Sequence, residues 1–333
     1  MGPDHLYESV PNFSEGTRAE VIAELAGAAG RAYVLDVDAD ADHNRVVISV
    51  VGQAPQLLDA LVASVEVAMQ HIDLREHRGV HPRVGAADVI PIVPLDGASL
   101  GDAHELARKL GDRIWNELQV PVYYYGHGEE HTLADIRAGR AQPSLGDRLH
   151  ASAGAVCIGA RHPLVAFNVI LPGLQLLEAR ALARSLRESG GGLRGVQALV
   201  FKLTDGRVQL SMNLFRLDET PPSAVVAELE RRGVSIGSQH VIGLCPAAVA
   251  NQAAKGRLFE ARLASAVARR GQLNGEAAEL ARTGIDQHAL LLAANRSAAL
   301  LPVLRAAGVL GDDMRTMLDI AVRGLRSAAL RTD

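Results

Sequence analysis

One order of elements runs through this chain twice, and it constrains the fold more than any other feature. In the first round VPNFSEG, from Val10 to Gly16, is a short extended piece ending in turn residues. Thr17 with Glu20 has the spacing of a capping box, and Ile22, Leu25, Ala26 and Ala29 then recur at helical spacing. Arg31 to Asp38 reads as a strand that turns through DADADHN into a partner, Arg45 to Val51. Leu58, Leu61, Val62, Val65, Met69 and Ile72 mark a second amphipathic helix, and Ala86 to Val93 is an apolar run with the character of a buried strand. A third helix through Leu106, Leu110, Ile114 and Leu118 and a strand from Val120 to Tyr125 are extra pieces.

The second round begins about 150 residues later, an offset that marks an internal repeat. Ala155 to Leu171 is strand-like with the turn signal ARHP inside it, and Ala179, Leu182, Ala183 and Leu186 form a helical stripe. After the break SGGGLRG, Gln197 to Leu203 and Val208 to Leu214 make a hairpin about TDGR. Ala224 to Arg232 is a helix and Ser235 to Leu244 a strand. The expectation is an α/β (α+β) protein of two tandem subdomains, residues 1–150 and 151–250. Each is a mainly antiparallel sheet with helices on one face, and a cleft between two such sheets is a natural ligand site. Residues 251–333 are rich in alanine and leucine at helical spacing and read as an all-helical tail.

A length of 333 residues supports two domains, and 48% apolar with 22% charged residues is globular usage. The longest apolar runs fall well short of the ~20 residues that span a bilayer. The start MGPDHLYESV lacks a secretory pattern. Cys157 and Cys245, both in apolar surroundings, read as thiols of a reducing compartment, so a cytoplasmic location without membrane partners is expected. The net charge of −4 gives no reason to expect nucleic acid. Residues 251–333 carry 12 basic and 8 acidic side chains, against 22 and 30 upstream, which sets the tail apart.

The densest chemistry lies in HRGVHPRVGAADVIPIVPL, from His77 to Leu95. Pro82 holds His81 extended, and Gly79 and Gly85 let the chain bend on either side of the charges. A histidine at the mouth of a strand suits proton transfer, and the plainer alternative is a solvated charged loop. DVDADADHN, from Asp36, suggests calcium but fails the twelve-residue loop pattern: counted from Asp36, positions six and twelve are Ala41 and Val47. HGEEH, His127 to His131, matches an inverted zinc signature by letters, yet Gly126 and Gly128 argue for a loop, so no metal is expected. GARHPLVAFN offers Arg161 for a carboxylate and Phe167 for a flat ring, or it is a plain hairpin. SMNL places Asn213 in an apolar strand end, and GSQHVIGL does the same with Gln239 and His240; each is a structural bond or a ligand contact.

Together VPNFSEG, LDVDADADHNRVVISVVG, IDLREHRGVHPRVGAADVIPIVPL, QVPVYYYG, GARHPLVAFNVIL, SMNL and VSIGSQHVIGL resemble the glutamate formimidoyltransferase family, in family order over about residues 8–250. The resemblance implies transfer of a formimidoyl group from N-formimidoyl-L-glutamate to N5 of tetrahydrofolate, a co-substrate, with no metal. It also implies two subdomains facing across a folate tunnel, and commonly a homodimer. By match His81 falls on the catalytic histidine, Asp38 and Arg83 on its assistants, and Gly159 to Asn168 on the folate segment. That segment contributes Gly159, Ala160, Arg161, Phe167 and Asn168, with Asn213 beside them as a further contact. Asp38 would hold the imidazolium or the cationic formimidoyl group, and Arg83 a carboxylate or the intermediate. The chain departs from the family pattern at Val80, at His162, and in RAQPSLGDRLHASAG, where a PDFGP-type stretch is usual. A different formyl or formimidoyl donor and a non-catalytic folate-binding role are the other readings. The tail is far shorter than the cyclodeaminase domain fused in some relatives, so no deaminase activity is expected.

Overall fold

The computed structural model describes residues 5–95 and 97–246, so the expected helical tail lies outside the described residues. The chain opens with β1 (Leu6–Ser9) and β2 (Asn12–Phe13), two parts of one course broken at Pro11. Helix α1 (Ala19–Ala29) follows, but the Thr17–Glu20 capping box does not form. Glu15 caps instead: its buried carboxylate accepts from the backbone N–H groups of Thr17 and Arg18 at 2.9 Å each. Strands β3 (Tyr33–Asp40) and β4 (Arg45–Gln53) form the expected hairpin, closing at Asp40 and Arg45 with Asn44 left-handed at φ 45°. Helix α2 (Ala54–His71), β5 (Ala87–Pro94), α3 (Leu100–Leu118), β6 (Val122–Gly126), the short α4 (Leu133–Arg137) and β7 (Val156–Ala160) complete the first unit.

These strands form one seven-stranded sheet. β3 pairs with β4, β4 with the β1–β2 course, and that course with β5, all antiparallel. Beyond β5 the sheet turns parallel, with β7 inserted between β5 and β6. The strand after residue 150 therefore completes the first sheet. The run from Ala155 to Leu171 divides at its ARHP turn, over Arg161–Leu164, and its two halves join different sheets, so the first unit extends past the expected boundary at residue 150. One face of the first sheet carries α1, α2 and α3 over a core that includes Phe13, Leu25, Ile48, Leu61, Ile90 and Ile114.

The second unit comprises β8 (Val165–Ile170), α5 (Leu176–Leu186), β9 (Val196–Lys202), β10 (Val208–Leu214), α6 (Pro222–Arg231) and β11 (Gln239–Ile242). Its four strands run β11–β8–β10–β9, all antiparallel. Ala179, Ala183, Val225 and Leu229 of the two helices cover one face, on Phe167, Val169, Leu210 and Met212. The last strand is shorter than the Ser235–Leu244 stretch suggested, since residues up to Ser238 form no ladder. No helix among the described residues is long and apolar enough to cross a membrane.

Candidate active site

The helix-free faces of the two sheets look at each other across a cleft of about 600 Å³, within the range of small-molecule sites. Period-two alternation decides which side chains enter it. On β4 Arg45 and Val47 face the cleft while Val46 and Ile48 face the helices. On β8 Ala166 and Asn168 face the cleft, and on β10 Ser211 and Asn213. Phe167 is thereby excluded: it is fully buried under α5 and α6 and cannot cover a ligand ring. Ala160 likewise lies in the core of the first unit, whereas Arg161, just past the end of β7, reaches the cleft.

His81 lines the cleft from the loop before β5. Its Nδ1 stands 2.7 Å from the carbonyl oxygen of Pro82, which only accepts, and 3.2 Å from Arg45 Nη1, which only donates; the shorter contact favours the tautomer with the proton on Nδ1. Nε2 is left with a lone pair. Gly79 and Gly85 serve this loop by size: a Cβ at Gly79 would stand 2.5 Å from the His43 carbonyl oxygen, and one at Gly85 2.0 Å from that of Ala155. Arg83 does not line the cleft. It folds back to donate to the carbonyl oxygens of Gly79 at 2.9 Å and His81 at 2.7 Å, and so clamps the loop.

Behind His81 sits a cluster that the sequence reading missed. Asp88, with no solvent exposure, receives Arg45 Nη1 at 2.8 Å and Arg137 Nη2 at 3.1 Å on Oδ2, and the Val84 N–H at 2.6 Å on Oδ1. Burial alone would raise the Asp88 pKa, but the two guanidinium groups and the Val84 N–H outweigh it and hold the carboxyl below its usual range. Arg45 Nη1 also lies 3.2 Å from His81 Nδ1. Burial first, then the charges of Arg45 and Arg137, pull the His81 pKa down to about 3. Asp88 is the one charged residue of the Ala86–Val93 run, a signal that it needed buried partners, but nothing in the sequence said which.

The far side of His81 is aromatic. Its ring centroid is 5.5 Å from that of Phe201, on β9 of the second sheet, and 5.8 Å from that of His43. His43 packs edge-on against Phe201 at 5.0 Å, and burial lowers its pKa despite Asp40 beside it. Asp38 accepts from the Gly243 N–H at 3.2 Å, joining β3 to the segment after β11, and does not line the cleft. At the opposite side Glu8, Tyr125 and Arg161 line the cleft together; burial raises the Glu8 pKa, against the pull of Arg161. The HGEEH stretch forms a turn, with Gly126 and Gly128 at positive φ, so its histidines do not share a helix face.

The geometry defines an α/β protein of two face-to-face sheets whose shared cleft holds a histidine beside a cationic cluster. Residues 6–161 match the family described as the formiminotransferase domain, N-terminal subdomain. Glutamate formimidoyltransferase of Streptococcus pyogenes serotype M1 is 35% identical over 271 residues, covering 73% of this chain and 89% of that protein. Its namesake from Thermoplasma acidophilum is 38% identical over 267 residues, covering 72% and 88%. Formimidoyltransferase-cyclodeaminase of Rattus norvegicus is 36% identical over 273 residues, covering 72% of this chain but 50% of its own length. The chain belongs to the formiminotransferase family and is an enzyme, a transferase.

Proposed function

We propose that the protein transfers the formimidoyl group of N-formimidoyl-L-glutamate to N5 of tetrahydrofolate, releasing L-glutamate. The single observation that carries the reading to this chain's own residues is His81 at the cleft with Nδ1 committed to the Pro82 carbonyl and Nε2 free to take a proton. The names of the relatives supply the donor, and the family supplies the acceptor. As N5 attacks the amidine carbon, its proton passes to His81 Nε2. The tetrahedral intermediate collapses when that proton is returned to the glutamate nitrogen, the C–N bond to glutamate breaks, and the imidazole is neutral again.

The remaining roles follow from placement. Folate lies between the sheets, against Arg161 on one side and Asn168 and Asn213 on the other. Arg83 keeps His81 in place through the loop carbonyls, and Asp38 secures the wall of the cleft at Gly243. Calorimetric titration with tetrahydrofolate, with and without N-formimidoyl-L-glutamate, tests the proposal when product is followed spectroscopically. Binding together with formation of 5-formimidoyltetrahydrofolate is expected. Binding without product would replace the donor, and no binding would remove the folate reading.

A further inference from the structure

The cluster around Asp88 has more cationic charge than it consumes. Two guanidinium groups meet one carboxylate, leaving one net positive charge, and both arginines line the cleft beside His81. Arg45 spends Nε on Asn12 and Nη1 on Asp88, whereas Arg137 spends only Nη2, and its buried Nε has no partner. The arginine side chains keep 12% and 22% of their surface, so the cluster is reachable from the cleft. A guanidinium with unused donors at a partly dry wall takes a carboxylate more readily than water does.

Chemistry narrows which carboxylate. In a formimidoyl amino acid the α-carboxylate is separated from the reacting amidine carbon only by the nitrogen and Cα, roughly 3–4 Å in space. In a reduced folate the glutamyl carboxylates lie beyond the aminobenzoyl ring, more than ~10 Å from N5 by the same bond lengths. A carboxylate that touches the wall behind His81 while the reaction proceeds at His81 therefore belongs to the donor. We propose that Arg45 and Arg137, held side by side by Asp88, bind the α-carboxylate of the donor, and that its arrival is what turns His81 into an effective base.

The inference rests on the transfer reaction proposed above and adds a condition to it. Without the carboxylate, the net positive charge opposes an imidazolium at His81. With it, the cluster is neutral, and the proton from N5 is received at Nε2 without that opposition. The groups facing His81 are Arg45 from β4, Asp88 from β5, Arg137 from α4, His43 from the β3–β4 turn with Asp40 behind it, and Arg83 on its own loop. Of these, Arg45 and Arg137 are the cations that also line the cleft. Both are positioning residues for the base and binding residues for the donor.

The test reads the imidazole itself, by NMR of histidine-labelled full-length protein, with the His81 signal assigned by its loss in His81→Asn. Saturation with N-acetyl-L-glutamate, an unreactive donor analogue, is expected to raise the His81 titration midpoint by a pH unit or more. Arg137→Gln is expected to raise the midpoint of the free protein, to weaken the analogue about tenfold or more, and to shrink the ligand-dependent shift. Arg137→Lys, which keeps the charge, should keep the shift. An unmoved midpoint at saturation, which needs no variant, would overturn the proposal. So would a shift produced by folic acid alone, or an analogue affinity unchanged in Arg137→Gln. A shift in a protein that makes no 5-formimidoyltetrahydrofolate would leave the carboxylate site standing and remove the transfer reaction instead.

Discussion

At His81 four separate parts of the chain meet: Pro82 next to it accepts from Nδ1, Arg45 of β4 and Arg137 of α4 repel added charge, and Phe201 from the other sheet packs against the ring. Replacing His81 with Asn keeps a polar side chain of similar reach and removes the base, so turnover should fall about 10²–10⁴-fold in an assay of product formation. The same variant carries a stability signature. His43 and His81 stay neutral in the fold, while an unfolded chain protonates them below about pH 6.5. Stability is therefore complete above that pH and falls as the pH drops toward the folded value. The low pKa of Asp88 acts with the same sign at more acid pH. His81→Asn should recover about 2 kcal/mol of unfolding free energy at pH 4 relative to pH 7, as read by urea titration, with allowance made for the ring's partial exposure. An unchanged acid slope would contradict the burial argument. The loop was legible in the sequence because proline, glycine and histidine act on their neighbours. The cluster was not, since Arg45 and Arg137 lie 43 and 49 residues from Asp88. Alternation would also have sent Asp88 to the helix side with Ile90 and Ile92. A register shift between Asn12 and Phe13 leaves Asp88 as the extra residue of a bulge, which re-aims it.

Among the elements β7 is the most demanding, because it is flanked by strands on both sides and faced on both surfaces. A Cβ on Gly159 would stand 1.9 Å from the backbone oxygen of Tyr125 on β6, and a backbone atom in mid-sheet has little room to give. Gly159→Ala should cost about 3 kcal/mol or more in chemical denaturation, as overpacked core sites do. Loss of folate binding in that variant would then follow from a displaced β6–β7 pair; a variant of unaltered stability would restore a direct role for Gly159. The apolar run and its ARHP turn announced strands in the sequence. Their assignment to two sheets did not, because the parallel pairing of β7 with β5 and with β6 depends on partners that are distant in the chain. Phe167 and Asn168 show the same limit: adjacent residues of one motif must face opposite sides of a strand, and the motif does not say which side is the cleft.

For the whole molecule, the twice-repeated order of elements announced the two sheets and the helices that cover them, but their face-to-face setting comes from contacts made late in the chain. Asp42 at the β3–β4 turn accepts from both the N–H and the hydroxyl of Thr204 in the β9–β10 turn, and Asp38 accepts from Gly243. These polar ties and the packing of His43 on Phe201 hold one end of the cleft while its middle stays open. A fragment ending at residue 150 should fail to unfold cooperatively and should aggregate, whereas one ending at residue 164 should give a cooperative transition by circular dichroism. Equal behaviour of the two would mean that the first unit does not need β7.

That need has a consequence for synthesis. The strand that joins β5 to β6 is the last of its sheet to leave the ribosome, so every earlier part of the first unit waits with two open parallel edges until residue 160 has emerged. A stall in translation between residues 126 and 160 would prolong that exposed state, and this is the interval in which a nascent-chain chaperone has most to protect.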